Sequence, residues 1–391
     1  MSEFVVWFDS SEAGAPVLNN AAGSMISVLD ACLVTGFNSK SVTSISVLSG
    51  VATVTCNGHG FSGTYGKDVL ISGATPAGLN GRKALTFVDT NTFRYATVVA
   101  DGAATGTITA KRDSLGWLKQ FSGTNKAIYK RSDVTATSIM LRVLDTAVAP
   151  ATTTDARVFM VETATDIDTY TGQGPTQAAF ADGQCWNKGV NTVTAKQWSV
   201  VGDSKGIYLW TQSGTTIMPN STDAAALAAF GDFASLKAGD AYNTFLLGLQ
   251  IVGYTGTPTN PPSFGGINTP DATGDVGFVI ARSYSQLAQS VSAVVLRGVI
   301  SGTTGYAISP SVVDSGFVLA GGLPLLEGGT QRAVRGYVPG MYDLLNRKPS
   351  SHYVVLSDVV GVGGRKIMTM SFTQASGPAQ CAIDITGPWR Q

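Results

Sequence analysis

The chain has 391 residues, with 26 Lys+Arg against 26 Asp+Glu, and its charged fraction of 13% is about half that of an average globular protein. A formal charge of zero leaves no basic field to condense on phosphates, so general nucleic-acid binding is not expected. With 44% hydrophobic residues the chain can fill cores, and its length exceeds the roughly 250–300 residues at which a single core stops growing, which predicts two or three domains.

The opening MSEFVVWFDSSEAGAP has an acid where a secretory leader carries a base, and its apolar run Phe4 to Phe8 is short for a leader core. No stretch approaches the ~18–20 apolar residues of a membrane span. The expectation is a protein folded in a cytoplasm, released by lysis, with no membrane span. A strand is predicted from Phe4 to Asp9. Beyond it Ala22, Ile26, Leu29 and Leu33 recur at helical spacing, and Gly36 supplies a C-cap. The opposite face carries Met25, Val28 and Cys32, so this helix is apolar nearly all round and belongs in a core. Zero net charge and so much apolar helix surface predict a homo-oligomer, a trimer or hexamer if it sits on an axis of symmetry.

From Ser44 to Ala110 the pattern becomes period two: Ile45 and Val47; Ala52, Val54 and Cys56; Val69 and Ile71; Leu85 and Phe87; Phe93 and Tyr95; Ile108 and Ala110. Turn-rich segments separate these runs, which predicts a small all-β sandwich-like module over 43–112. Larger aromatics return after Asp113, so the module reads as an insertion in a main β-rich domain made of 1–42 and 113–252. Asn80-Gly81 between apolar runs predicts a turn needing positive φ.

The module has Gly58-His59-Gly60-Phe61 after one strand, Ser72-Gly73 after another, the Asn80-Gly81 turn and a final Asn91-Thr92-Phe93-Arg94-Tyr95 strand. On these residues it resembles a segment recurrent in structural proteins of tailed bacteriophages. Ser62-Gly63-Thr64-Tyr65-Gly66 makes one loop longer than that pattern. The outer segments KQFSGTNKAIYKR, QWSVVGDSKGIYLW, FGDF, RGYVPGMYDLL and IDITGPWR resemble minor virion proteins of the same phages. The resemblance implies a virion structural protein without fixing its position in the particle; the reading adopted is the tail, tail tip or baseplate, with copies of itself and other virion proteins as partners. A head-surface decoration protein and a tail protein that binds or depolymerises host polysaccharide are the alternatives.

Further strands are predicted at Ala127–Arg131, Ser138–Asp145, Arg157–Glu162, Gln197–Val201 and Ile207–Thr211, and a short helix from Asp223 to Phe230 behind Ser221 and Thr222. Pro258, Pro261, Pro262 and Pro270 mark 253–275 as a linker or long loop. A C-terminal β-rich domain over 276–391 follows, with strands at Val276–Ala281, Gly316–Ala320 and Ser351–Leu356, an apolar element near Leu287–Leu296, and a helical turn from Pro339 through Leu345. The fold class expected is therefore mainly β with a few short helices.

No constellation predicts an enzyme, and no catalytic, cofactor or metal site is expected. Gly202-Asp203-Ser204-Lys205-Gly206 matches G-x-S-x-G, but a strand follows it, so a β-hairpin is predicted with Gly206 at positive φ. The chain has two histidines, His59 and His352. Asp166 to Gly172 is oxygen-rich without the EF-hand pattern, so a solvated loop is predicted. The four glutamates, Glu3, Glu12, Glu162 and Glu327, show no pairing of the kind glycoside cleavage needs. Cys32, Cys56, Cys185 and Cys381 lack C-x-x-C spacing and read as buried thiols. The six tryptophans read as packing, not as a sugar-stacking surface; Trp389 is expected to be docked.

Overall fold

A computed structural model describes residues 4–146, 155–176, 183–188, 194–212, 225–248, 278–287, 289–295, 319–320, 322–327, 333–344, 354–357, 359, 362–374 and 377–390. The fold is mainly β, as the alternation and composition predict. Strand β1 (Val6–Asp9) precedes α1 (Ser24–Leu29), which widens into a π-helical stretch over Asp30–Thr35. Asp145 accepts the N–H groups of Met25 at 2.8 Å and Ile26 at 3.4 Å, two of the donors a helix start leaves unpaired. Lys188 pairs with the other Asp145 oxygen, and both charged side chains are fully buried. Met25, Val28, Leu29, Cys32 and Leu33 lie in the chain's own main core. The helix therefore hides its apolar surface within one subunit, as its apolar circumference predicts, and adds nothing to the case for an oligomer.

The stretch predicted as an inserted module contains β2 (Phe37–Ser41), β3 (Ser44–Leu48), β4 (Val51–Thr55), β5 (Val69–Ser72), β6 (Gly81–Lys83), β7 (Thr86–Asp89), β8 (Thr92–Ala96), β9 (Gly102–Ala103) and β10 (Thr109–Arg112). They form two sheets, β2-β10-β5-β6 and β7-β8-β4-β3-β9. Between them lies a core drawn from this stretch, including Ile45, Val47, Ala52, Val54, Val69, Ile71, Phe93, Tyr95 and Ala110. These are the alternating residues of the sequence, because a strand turns every second side chain to the same face. Phe87 departs from the pattern and is 47% exposed, since the β7–β8 register slips between Phe87 and Asp89. Strands β2 and β10 pair, Thr109 opposite Ser41, so the chain enters and leaves side by side. It then rejoins the end of the helix, with the Leu115 N–H on Cys32 O at 2.9 Å and the Trp117 N–H on Leu33 O at 2.8 Å.

Next come β11 (Leu118–Gly123), β12 (Lys126–Lys130), β13 (Met140–Leu144), β14 (Ala156–Val161), the short pair β15 (Thr163–Ala164) and β16 (Tyr170–Thr171), and β17 (Gln184–Trp186). All but the short pair make the sheet β11-β12-β13-β14-β17. The remaining strands are β18 (Trp198–Gly202), β19 (Gly206–Gln212), β20 (Ala225–Asp232), β21 (Ala234–Ser235), β22 (Thr244–Leu247), β23 (Phe278–Ile280), β24 (Val291–Val295), β25 (Leu319–Ala320), β26 (Pro324–Glu327), β27 (Ala333–Tyr337), β28 (Met341–Leu344), β29 (Val355–Leu356), β30 (Ile367–Gln374) and β31 (Gly377–Asp384). A ten-stranded sheet runs β1-β18-β19-β20-β22-β23-β24-β26-β27-β21, and a five-stranded one runs β25-β28-β31-β30-β29. The larger sheet takes strands from both sides of segment 253–275, which itself lies outside the described residues.

Two helical predictions are corrected. Ala225–Asp232 is the strand β20, buried at every position between β19 and β22. The Ala-rich text has high helix propensity, but a strand paired on both edges with both faces covered overrides it. Met341–Leu344, after Pro339, is the strand β28 rather than a helical turn, because it pairs with β31, Met341 opposite Ile383. Gly81 has φ 98 as predicted, although it opens β6 after a 3-10 turn over Ala77–Leu79 rather than closing a hairpin. Asn80 holds that turn by bonding both the N–H and the C=O of Ala74.

All six tryptophans are buried. Trp198 and Trp210, on the paired strands β18 and β19, point into different cores, as alternation across a sheet requires. Trp389 packs on Tyr208 with ring centroids 5.3 Å apart, and its indole N–H donates to Asp384 O at 2.8 Å. The chain end is thus docked within its own subunit.

Charged side chains link remote segments inside the fold. Arg131 and Asp232, 0% and 3% exposed, meet at 2.6 Å, and Thr137 and Thr244 complete the Asp232 shell. Arg390 reaches Asp203 at 2.5 Å and donates to Asp232 O from Nε and Nη2. Arg335 holds Glu327 and Asp240, each at 2.8 Å. Removing one member of such a buried pair strands a charge and costs about 3–5 kcal/mol.

Candidate functional site

The described residues among those singled out in the sequence have structural employment. In the G-x-S-x-G segment, Asp203 Oδ1 accepts the N–H groups of Lys205 and Gly206, both at 2.8 Å, and the Ser204 hydroxyl donates to Asp133 at 2.8 Å. Strands β18 and β19 flank it, so it is the predicted hairpin. Gly206 is not at positive φ, which corrects the reason given for it. A side chain at Gly231 would run into the Gly206 Cα; the β19–β20 crossing is too close for a Cβ there.

His59 is fully buried in an aromatic nest, stacked on Phe61 with centroids 5.5 Å apart and edge-on to Phe93 at 5.3 Å. Its Nδ1 accepts the Phe61 N–H and its Nε2 lies 2.9 Å from Asp89 O. That pairing selects the Nε2–H tautomer and leaves no lone pair for a substrate. His352 and Glu3 lie outside the described residues. In the Asp166–Gly172 turn, Asp166 caps the N–H groups of Asp168 and Thr169, and Asp168 pairs with Lys126 and Arg142 at 2.8 Å each. Among the described residues no three His, Cys, Asp or Glu side chains converge on one point. All four cysteines are buried and unpaired with one another. Burial pushes the Cys185 thiol up to about 12 and raises Cys32 well above its ordinary value, the opposite of a nucleophile's environment.

A polar cleft of about 400 Å³ lies where β14 ends, lined by Glu162, Gln173, Thr176, Arg282, Gln289 and Ser290 among others; this volume is in the range of small-molecule sites. Backbone bonds between Met160 and Gly174, and from the Glu162 N–H to Thr171 O, fix one wall. On the other, Arg282 clasps Glu162 through Nε and Nη2, each at 2.5 Å, and donates from Nη1 to Gln286 O. The carboxylate raises the Arg282 pKa, and the Tyr242 ring sits 4.5 Å from the guanidinium. Acid and base neutralise each other here, leaving amides and hydroxyls. That lining suits a neutral, hydroxyl-rich ligand. Glu162, the one carboxylate among the described lining residues, is clamped by Arg282, and no second carboxyl group among them pairs with it as in a glycosidase. Sequence reasoning missed this cleft because Glu162 and Arg282 are 120 residues apart.

The module presents a second surface. Its β3–β4 turn has Ser49 at φ 50 and Gly50 at φ 77, and Leu48, Val51 and Val98 there are 72%, 40% and 104% exposed. The Thr97 N–H on Gly50 O and the Ser49 N–H on Asp101 hold this tip in shape. At one edge of the same sheet, β7 is exposed at all four positions. Among the described residues no helix is long and apolar enough to cross a membrane. No protein-family model matches the chain, and no curated protein matches it.

Proposed function

We propose that the chain is a structural subunit of a tailed-phage virion, placed in the tail or its tip and working through symmetric contacts with copies of itself and with other virion proteins. The observation that carries this reading is the module's ordered apolar tip, Leu48, Val51 and Val98, on a sheet with an exposed edge strand. Apolar side chains held in a fixed shape at a protruding turn suit a repeated protein contact. The resemblance of the module to segments of phage structural proteins supports the same reading, as do the buried ion pairs that tie distant segments into one body. No enzymatic step is assigned.

The test is replacement of Leu48 and Val98 by Asp in the phage, followed by particle purification. The reading expects folded protein that fails to enter particles. Normal incorporation and infectivity would overturn it. The second reading, a host-glycan-binding tail protein, rests on the neutral polar cleft between Glu162 and Arg282. Glycan-array binding that is lost in Gln173→Ala and Gln289→Ala variants would favour it.

A further inference from the structure

The module grips β1 through the loop in which it departs from the recurrent pattern. Gly66 O accepts the Trp7 N–H at 3.0 Å, and the next residue, Lys67, hydrogen-bonds Asp9 Oδ2 through its Nζ. Glu12 Oε1 lies 3.5 Å from the same nitrogen. The three side chains are 7%, 11% and 7% exposed, and the Trp7 ring closes the remaining side 4.4 Å from Nζ. Asp9 Oδ1 is held separately, by the N–H of Ser11 at 2.8 Å and by its hydroxyl. Glu12 is fixed by the Asp9 N–H at 3.0 Å and by Arg112 Nε at 2.5 Å. An amine, a carboxyl carbon and a second carboxylate thus share a nearly dry pocket.

We propose that Lys67 and Asp9 form an intramolecular isopeptide bond that covalently joins the module to β1, with Glu12 carrying the proton. The ammonium first passes one proton to the Asp9 carboxylate, giving an amine and a carboxylic acid. The Lys67 nitrogen lone pair then attacks Asp9 Cγ; the new C–N bond forms as the carbonyl electrons move onto Oδ1. A nitrogen proton moves to Glu12 and from Glu12 to the Oδ2 hydroxyl, which leaves as water when its C–O bond breaks and the Oδ1 carbonyl re-forms. The sum is ammonium plus carboxylate giving amide plus water, with Glu12 regenerated and no electrons exchanged with any other group.

Three features favour the step. Holding the amine in hydrogen-bond contact with the carboxyl group it would attack replaces a bimolecular encounter. The Ser11 donors face the oxygen on which negative charge develops. Two charges that are costly to bury become a neutral amide. Burial raises the Asp9 carboxyl but the Lys67 and Ser11 bonds lower it further, to a net position below its ordinary value. The resting Asp9 carboxyl is therefore ionised, and its protonated form is the reactive minority, one proton transfer away. Lys188 and Asp145 are also fully buried and paired, but their remaining bonds go to Ala21 O and the start of α1, and among the described residues no second carboxylate lies within ion-pair distance of the Lys188 nitrogen.

Intact-mass spectrometry of the full-length folded protein, followed by proteolysis and fragment sequencing, tests this. The expected result is a mass one water below the sequence mass and a branched peptide joining Asp9 to Lys67, with the Glu12→Gln protein at full sequence mass. A wild-type protein at full mass with separate Asp9 and Lys67 peptides would overturn the proposal. So would a water loss that maps elsewhere, including to Asp145 and Lys188, or a fully cross-linked Glu12→Gln protein.

Discussion

Asp155 is the sharpest test of how this fold handles charge. The residue is 9% exposed and its carboxyl accepts the Lys188 backbone N–H at 3.2 Å; burial pushes its pKa up to about 6 from 3.8, against smaller opposing effects of that bond, Arg157 and Lys188. A carboxyl whose pKa is raised in the folded state binds protons more tightly there than when unfolded. Stability is therefore lost as pH rises from about 4 through about 6, and the loss is complete above that window. About two pKa units correspond to roughly 3 kcal/mol. Asp155→Asn keeps an acceptor for Lys188 and removes the ionisation. Chemical denaturation at pH 4 and pH 7.5 should show the variant more stable by up to roughly 3 kcal/mol at the higher pH and nearly equal at the lower. Equal stability at both, or a loss at pH 7.5, would show that the ionised carboxylate is well solvated or usefully paired, and would refute the reasoning.

Other outcomes follow from the same geometry. Trp389→Ala should cost about 3–5 kcal/mol in a monomer, since the ring fills a site against Tyr208; an unchanged melting temperature would contradict its docking. Gly231→Ala should prevent folding, because its Cβ would meet the Gly206 backbone, whereas Gly81→Val faces open space and should cost only the roughly 1–3 kcal/mol of a left-handed φ. Bridging β2 to β10 in place of residues 43–108 keeps Arg112 but removes Lys67, the partner of Asp9, so the remaining body should be soluble but less stable than the full chain. A longer excision, joining Asn38 to Leu115, also removes Arg112 and strands the buried Glu12; it should be less stable than the shorter excision by about 3–5 kcal/mol, as urea titration of the two proteins would show.

The module was legible because its chemistry is local. Strict alternation at Ile45, Val47, Ala52 and Val54 specifies strand and core face together, and only a slip in register, at Phe87, breaks the inference. The β18–β19 hairpin was legible for the same reason. Ala225 to Phe230 was not, because its strand state depends on two neighbours and two covered faces that a single window does not contain. The ion pairs were invisible: Asp9 and Lys67 are 58 residues apart, and Arg131 and Asp232 are 101 apart. Nothing in the composition distinguishes a buried arginine from a solvated one. The helix was legible as a core element from its apolar circumference, but its burial in the chain's own core means that it supplies no surface for a neighbour.

The central claim is tested most directly by locating the protein on intact particles. Gradient-purified tailed virions labelled with an antibody to the module, and imaged by cryo-electron microscopy, should show it in fixed, symmetric copy number on the tail or its tip. Label confined to the unassembled lysate fraction, with unlabelled infectious particles, would contradict the account.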